Sequence, residues 1–247
     1  VIELPIGATE DRVVGSLNIE RAIREGIRAL EPGVLAAANQ NILYVDEVNL
    51  LPDHITDVIL DAAASGWNTV EREGISVQHP SRFILVGTMN PEEGELRPQL
   101  LDRMPLHVEI STIHDPAQRV EVMKRNIEFE KSPDEFREKF VDEQEKLMDR
   151  IAMAKDLLSD VEVPDSLFKV VADMCISLNV DGHRPDIIII KAASTLAAFN
   201  GRTVVEPEDI LEGAYMTLSH RTRSLGMDPP ASDREILEEF NSAKNSD

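Results

Sequence analysis

Asp46 and Glu47 stand side by side at the end of a short apolar run, in ILYVDEVNLL at residues 42 to 51. Adjacent carboxylates beyond a strand suit nucleotide hydrolysis, in which the Asp holds a hydrated Mg²⁺ and the Glu orients the attacking water. Ile42, Leu43, Tyr44 and Val45 have the composition of a strand buried on both faces of a parallel sheet. Its acidic end would then lie at the carboxyl edge, where open α/β sheets place their ligands. A second apolar run, RFILVGTMNP, ends in Asn90, whose amide could hold the same water from a neighbouring strand. Arg97 and Arg103 follow in ELRPQLLDR, and an arginine after a short helix is a group that one subunit can insert into its neighbour's phosphate site. Each residue also has a plainer use. Strands often end in acidic loops, Asn is a common turn residue, and lone arginines mostly make surface salt bridges.

The elements that must position these groups follow from the pattern around them. VIELPI reads as a strand, Asn18 to Leu30 as a helix stopped by EPG at 31 to 33, and the residues up to Asn39 as a short helical stretch. Pro52 and Asp53 can open a helix with Ile55, Val58, Ile59 and Ala62 or Ala63 on one face, ending near Gly66. NTVEREGISVQ reads as a hairpin whose turn includes Gly74. Two core strands separated by a helix and a hairpin predict an α/β sandwich. From Asp115 the pattern changes to helices: 116 to 131 and 134 to 158 are highly charged with thin apolar stripes, a projecting antiparallel arm. VEVPDSLFKVVADMCISL, DIIIIKAASTLAAF and PEDILEGAYMTLSHRTR then predict a compact helical module, followed by a tail with one weak amphipathic stretch, EILEEF.

Composition narrows the function classes. With 46 acidic residues against 25 basic ones and a net charge of -21, the surface is unsuited to gripping nucleic acid phosphates or anionic lipid. The single cysteine, Cys175, permits no intramolecular disulfide, suits a reducing cytoplasm and reads as a small buried hydrophobe. His54, His79, His107, His114, His183 and His220 are scattered without ligand spacing and read as surface or interface residues. No apolar run has the length of a membrane span. The sequence begins with Val1 inside a strand pattern, as expected of the C-terminal part of a longer protein.

LPIGATEDRVVG, ILYVDEVNLL, NVDGHRPDI and, above all, the run from Gly66 to Arg103 resemble subunit I of magnesium chelatases, the AAA+ motor for Mg²⁺ insertion into protoporphyrin IX. Motors of cobalt chelatases are similar. The resemblance implies a partial AAA+ core at 1–115 (Walker B, pre-sensor 1 hairpin, sensor 1), a helical arm at 116–160, a helical lid at 161–230 and a tail at 231–247. It implies ATP and Mg²⁺ as cofactors, with Asp46 on the metal through water and Glu47 as the water-polarising base. Asn90 would be sensor 1, Arg103 a finger acting in trans with Asp102 beside it at the interface, and Arg184 the sensor 2 arginine. The implied partners are further copies in a ring, a hexamer, together with a D-type subunit and a large porphyrin-binding subunit. The implied location is the cytoplasm, or the plastid stroma in a plant or alga.

The sequence departs from the family pattern twice. Pro185 stands after Arg184 where the family often has Gly; it fixes φ and removes a donor, which the first turn of a helix accepts. No Gly is followed by Lys, so the phosphate loop G-x-x-x-x-G-K-[ST] is missing, and the resemblance places it upstream of VIELPI. As it stands, the chain is expected to be inactive alone. Two other classes fit in part: an AAA+ motor of the MoxR or helicase type, and a non-catalytic AAA+ interaction module.

Overall fold

The computed structural model describes residues 1–5, 7–17, 30–72, 75–94, 98–221, 223 and 227–245. They fall into two compact units, Val1–Met104 and Pro105–Asp247.

The first unit runs β1 (Ile2–Leu4), α1 (Glu10–Val14), β2 (Gly15–Leu17), β3 (Leu30–Pro32), α2 (Val34–Ala37), β4 (Ile42–Val45), α3 (Asp53–Ser65), β5 (Trp67–Arg72), β6 (Ile75–Pro80), β7 (Ile84–Gly87) and α4 (Pro98–Arg103). Strands β1, β4 and β7 form a parallel sheet with β4 in the middle. Leu43 and Val45 are buried beneath it with Leu4, Leu35, Ile55, Ile59 and Leu100. The expectation that this strand is buried on both faces is corrected. Ile42 is exposed and Tyr44 half-buried, and Ile84 and Val86 beside them are also exposed. A strand covered on one face alternates in burial, as this one does.

Helix α3 buries Ile55, Thr56, Ile59, Leu60 and Ala62 and leaves Ala63 outside, so the expected face holds and Ala62 is its last inward residue. The hairpin β5–β6 extends from Trp67 to Pro80, longer than the sequence suggests; residues 73 and 74 lie outside the described set. The expected helix from Asn18 lies outside it too, up to residue 29. Leu30 itself, with Glu31 and Pro32, is a strand paired antiparallel to Gly15–Leu17. That pairing is non-local, so a local reading takes EPG for a helix stop.

The second unit contains α5 (Pro116–Lys131), α6 (Pro133–Glu138), α7 (Val141–Leu157), α8 (Asp165–Ser177), α9 (Arg184–Phe199), α10 (Pro207–Leu218) and α11 (Asp233–Lys244). Helices α8 to α11 share one core around Met174, Ile189, Ile210, Leu218 and Ile236. Gly213 lets α10 approach α9 closely, since a Cβ there would lie 3.1 Å from the Ile189 carbonyl oxygen. EILEEF belongs to this core rather than to a loose tail, because Ile236, Phe240 and Ala243 recur at helical spacing on one buried face. Cys175 is buried as expected, and burial, with Asp186 adding to it, pushes its thiol up to about 12. The helix expected over 134 to 158 is broken into α6 and α7, where Phe129, Phe136 and Phe140 cluster and Arg125 covers the Phe140 ring. Helix α5 packs on α6, and α7 on α9.

Candidate functional site

Parallel register places the acidic corner. Val45 is partnered with Gly87 across β4 and β7, so Asp46 and Thr88 leave the sheet next to each other. Thr88 Oγ1 donates to Asp46 Oδ1 at 2.5 Å, and the Tyr44 hydroxyl reaches the same oxygen at 3.2 Å. Both hydroxyls therefore fix the carboxylate through Oδ1, and Oδ2 has no partner among the described residues. The Thr88 carbonyl accepts from the Val48 N–H at 2.9 Å, and the Thr88 N–H donates to the Val45 carbonyl at 3.0 Å. The two chains are thus stitched together on both sides of the acids.

Glu47 makes the turn in the left-handed region, at φ 50° and ψ 53°. That conformation costs a non-glycine residue on the order of 1–2 kcal/mol. It turns the chain into the 3₁₀ turn Val48–Leu50, and the Glu47 carboxylate is left without a partner among the described residues. A side chain on Gly87 would crowd the floor below it, because a Cβ would lie 3.0 Å from both Val48 Cγ1 and Met104 Cε. Asn49, in the same turn, has both side-chain amide atoms shielded from solvent without a hydrogen bond.

Asn90 sits on the same edge, two residues past Thr88. Its Oδ1 accepts from the Glu92 N–H at 3.2 Å, capping the turn Pro91–Glu93, and no hydrogen bond joins it to Asp46 or Glu47. Arg103 is turned elsewhere in the same unit. Its Nη1 donates to the Leu60 carbonyl at 3.0 Å and lies 3.5 Å from Asp61 Oδ1, both on α3. It lines an open cleft of about 610 Å³ with Asp61, Trp67 and Thr69. The side chain of Asp102 and the whole of Arg97 lie outside the described residues. Arg184 belongs to the second unit, exposed in the first turn of α9, where the buried Pro185 occupies a position that needs no intrahelical N–H bond.

Thr88 and Tyr44 escape a reading of the sequence one residue at a time. The signal for Thr88 was present: once two parallel strands are aligned, the residue after each falls at the same height. His107 and His220 do come together, with ring centroids 5.3 Å apart, although no group of three metal-ligating side chains exists among the described residues.

The pair of acids on a central parallel strand can be set against known proteins. Residues 19–99 match the family model for magnesium chelatase, subunit ChlI, and residues 169–240 match the AAA lid domain. A magnesium-chelatase subunit ChlI homolog of Methanocaldococcus jannaschii is 55% identical over 251 residues, spanning 100% of this chain and 69% of its own length. The chain belongs to the magnesium-chelatase subunit ChlI family. Subunit ChlI of Euglena gracilis is 51% identical, over 99% of this chain and 70% of its own. A solved structure from Cytophaga hutchinsonii, provisionally assigned as an ATPase, shares the fold with a TM-score of 0.64 at 19% identity, over 98% of this chain and 76% of that one. The fold is therefore that of the ChlI family, an α/β AAA+ core with a helical lid. As in its sequence, no helix among the described residues is long and apolar enough to cross a membrane.

Proposed function

We propose that this chain is part of the ATP-hydrolysing motor of a magnesium chelatase, which drives Mg²⁺ insertion into protoporphyrin IX. The observation that carries this reading is the Asp46–Glu47 corner, one carboxylate steered by two hydroxyls and the other left open, in a chain of the ChlI family. The residues present fit MgATP. Mg²⁺ is commonly held by one or two carboxylates, waters and the substrate's own phosphates, so a site with few protein ligands is what the chemistry requires. Bound Mg²⁺ would neutralise charge on the β- and γ-phosphates.

In this reading Asp46 presents Oδ2 to the hydrated cation while Thr88 and Tyr44 restrain Oδ1. Glu47 polarises the attacking water, and Asn90 offers its amide nitrogen at the same edge. Arg103 serves the site of the adjacent copy, with Asp102 beside it, which accords with its orientation toward α3 rather than toward its own acids. Arg184 reaches nucleotide from the lid. The assembly is a ring of copies, a hexamer, working with a D-type subunit and a large subunit that handles the porphyrin, in a cytoplasm or, for a plant or alga, a plastid stroma.

The test is ATP hydrolysis by the full-length gene product, followed by porphyrin metallation with its partner subunits. Turnover lost on Glu47→Gln and metal insertion that requires ATP are expected. A full-length protein that binds no ATP would favour a non-catalytic module, and ATP turnover without porphyrin metallation would favour another AAA+ motor.

A further inference from the structure

Arg103 is held from the same turn of α3 through Nη1, which donates to the Leu60 carbonyl at 3.0 Å and pairs with Asp61 Oδ1 at 3.5 Å. Helix α3 starts shortly after the acidic corner, separated from Glu47 by the 3₁₀ turn whose Val48 is buried and bonded to the Thr88 carbonyl. A second link runs the other way. Met104, the residue after Arg103, reaches the ends of the two central strands, where its Cε and Val48 Cγ1 both lie 3.0 Å from the place a Cβ on Gly87 would take. Leu100 anchors the other side of α4 in the core. The guanidinium is therefore tied to α3, and the residue after it packs on the floor of its own subunit's acidic corner.

We propose that Asp61 is a positioning residue for Arg103, and that α3 ties the aim of this guanidinium to the Asp46–Glu47 corner of the same subunit. The inference rests on the reading of Arg103 as a group that serves the adjacent copy. Asp61 and the Leu60 carbonyl meet the same nitrogen, Nη1, so the carboxylate adds a charge contact to a tether the neutral carbonyl makes alone, and narrows the rotamers open to a long side chain. The side chains of Arg103 and Asp61 are 39% and 79% exposed, so the pair is weak enough to exchange for a phosphate when a second copy docks. A change at one corner moves the turn, α3 and Met104 together, and so re-aims the arginine offered to the next site.

The experiment measures steady-state ATP turnover of the full-length protein with Asp61→Ala, Asp61→Asn, Arg103→Ala, Asp61→Ala with Arg103→Ala, and Glu47→Gln, after circular dichroism shows each variant folded. Asp61→Ala should lower kcat roughly fivefold with KM for ATP unchanged, the signature of a lost transition-state contact rather than lost ground-state binding. Asp61→Asn, which keeps an acceptor oxygen, should recover about half of that loss on a logarithmic scale. In the Arg103→Ala background, Asp61→Ala should add nothing. Mixing Asp61→Ala subunits, with intact acids, and Glu47→Gln subunits, with intact arginines, should raise turnover above the average of the two, because some interfaces then combine a working corner with a well-aimed arginine.

Full turnover by Asp61→Ala, the same fivefold loss in both backgrounds, or no gain on mixing would overturn the proposal. These results are separable from failure of the underlying reading. If Arg103→Ala keeps full turnover, the arginine has no role across the interface and both ideas fall. If Arg103→Ala is crippled and rescued by Glu47→Gln subunits while Asp61→Ala is unaffected, only the positioning role of Asp61 falls.

Discussion

Asp46 and Asp209 meet opposite fates in the two units. The Asp209 side chain, 4% exposed on α10, takes two hydrogen bonds from Arg202 at 2.6 and 2.7 Å and a third from the Glu206 N–H at 2.9 Å. Asp46 keeps one oxygen open at the edge of a sheet, and Glu47 keeps both. The same contrast extends to apolar residues: Ile189 is fully buried between the lid helices, whereas Ile84 on β7 is 65% exposed. A carboxylate answered inside the fold serves stability. Asp46, oriented through a single oxygen, and Glu47, wholly open in a backbone conformation that costs energy, have their purpose outside the fold.

The largest effect that could break this contrast is on turnover. Glu47→Gln should reduce ATP hydrolysis by the full-length protein by roughly 10²–10⁴-fold, the usual worth of a positioned general base. Its folding stability should shift by no more than about 0.5 kcal/mol, as for an exposed side chain with no partner. A large loss of stability, measured by urea unfolding, would mean that Glu47 has an internal role and is not an open group.

Asp209→Ala should show the reverse pattern. Removing the carboxylate should cost about 1.5–3 kcal/mol, because Arg202, 28% exposed, keeps only Glu206 as a salt-bridge partner among the described residues, and the Glu206 N–H loses its acceptor, one half of the capping box of α10. The prediction carries a pH dependence. Burial alone would raise the Asp209 carboxyl, but the Arg202 hydrogen bonds and the Glu206 N–H bring it below its ordinary value of 3.8. A depressed carboxyl contributes stability above its unfolded value and loses it as pH falls through the folded one. Wild-type stability should therefore decline below about pH 4, and that decline should be shallower in Asp209→Asn. Urea midpoints from pH 6 to 3, followed by far-UV circular dichroism, would show it; parallel curves for the two proteins would remove the pair from the account.

Two isoleucines test the contrast within one residue type. Ile189→Ala should cost about 2–5 kcal/mol, transfer and cavity together. Ile84→Ala should cost less than about 1 kcal/mol, since most of that side chain is already in water. Trp67, the single tryptophan, belongs to the first unit, so its fluorescence follows that unit while circular dichroism weights the helical one. A costly Ile84→Ala would show that the open sheet face is covered in solution.

How much of this was legible in the sequence depended on distance along the chain. Asp46 and Glu47 stand out because a four-residue apolar strand and an acidic pair are local facts, and α3 follows from spacing alone. The β2–β3 pairing, the grip of Thr88 on Asp46 and the hold of Asp61 on Arg103 each join residues far apart in sequence, and no local pattern marks them. The break at 139 and 140 was hidden for another reason. The charged pattern there suits one long helix, and only the clustering of three phenylalanines rewards the bend. EILEEF looked weak because its two inward residues, Ile236 and Phe240, are diluted by glutamates that a helix turns outward.

The smallest effect sharpens the comparison most, because it should separate stability from function at a single residue. Glu47 adopts φ 50° and ψ 53°, which glycine accepts without steric cost. Glu47→Gly should thus raise the stability of the first unit by about 0.5–1 kcal/mol, the strain relieved less the greater flexibility of glycine in the unfolded chain. Turnover of the full-length protein should fall as far as in Glu47→Gln. The measurement is the urea midpoint by Trp67 fluorescence beside the ATPase rate. A glycine variant that is less stable than wild type would mean that the glutamate side chain holds the turn, and the strained conformation would then be a consequence of packing. A more stable and inactive variant would mean that the fold keeps a costly residue at this corner because only its carboxylate can do the chemistry.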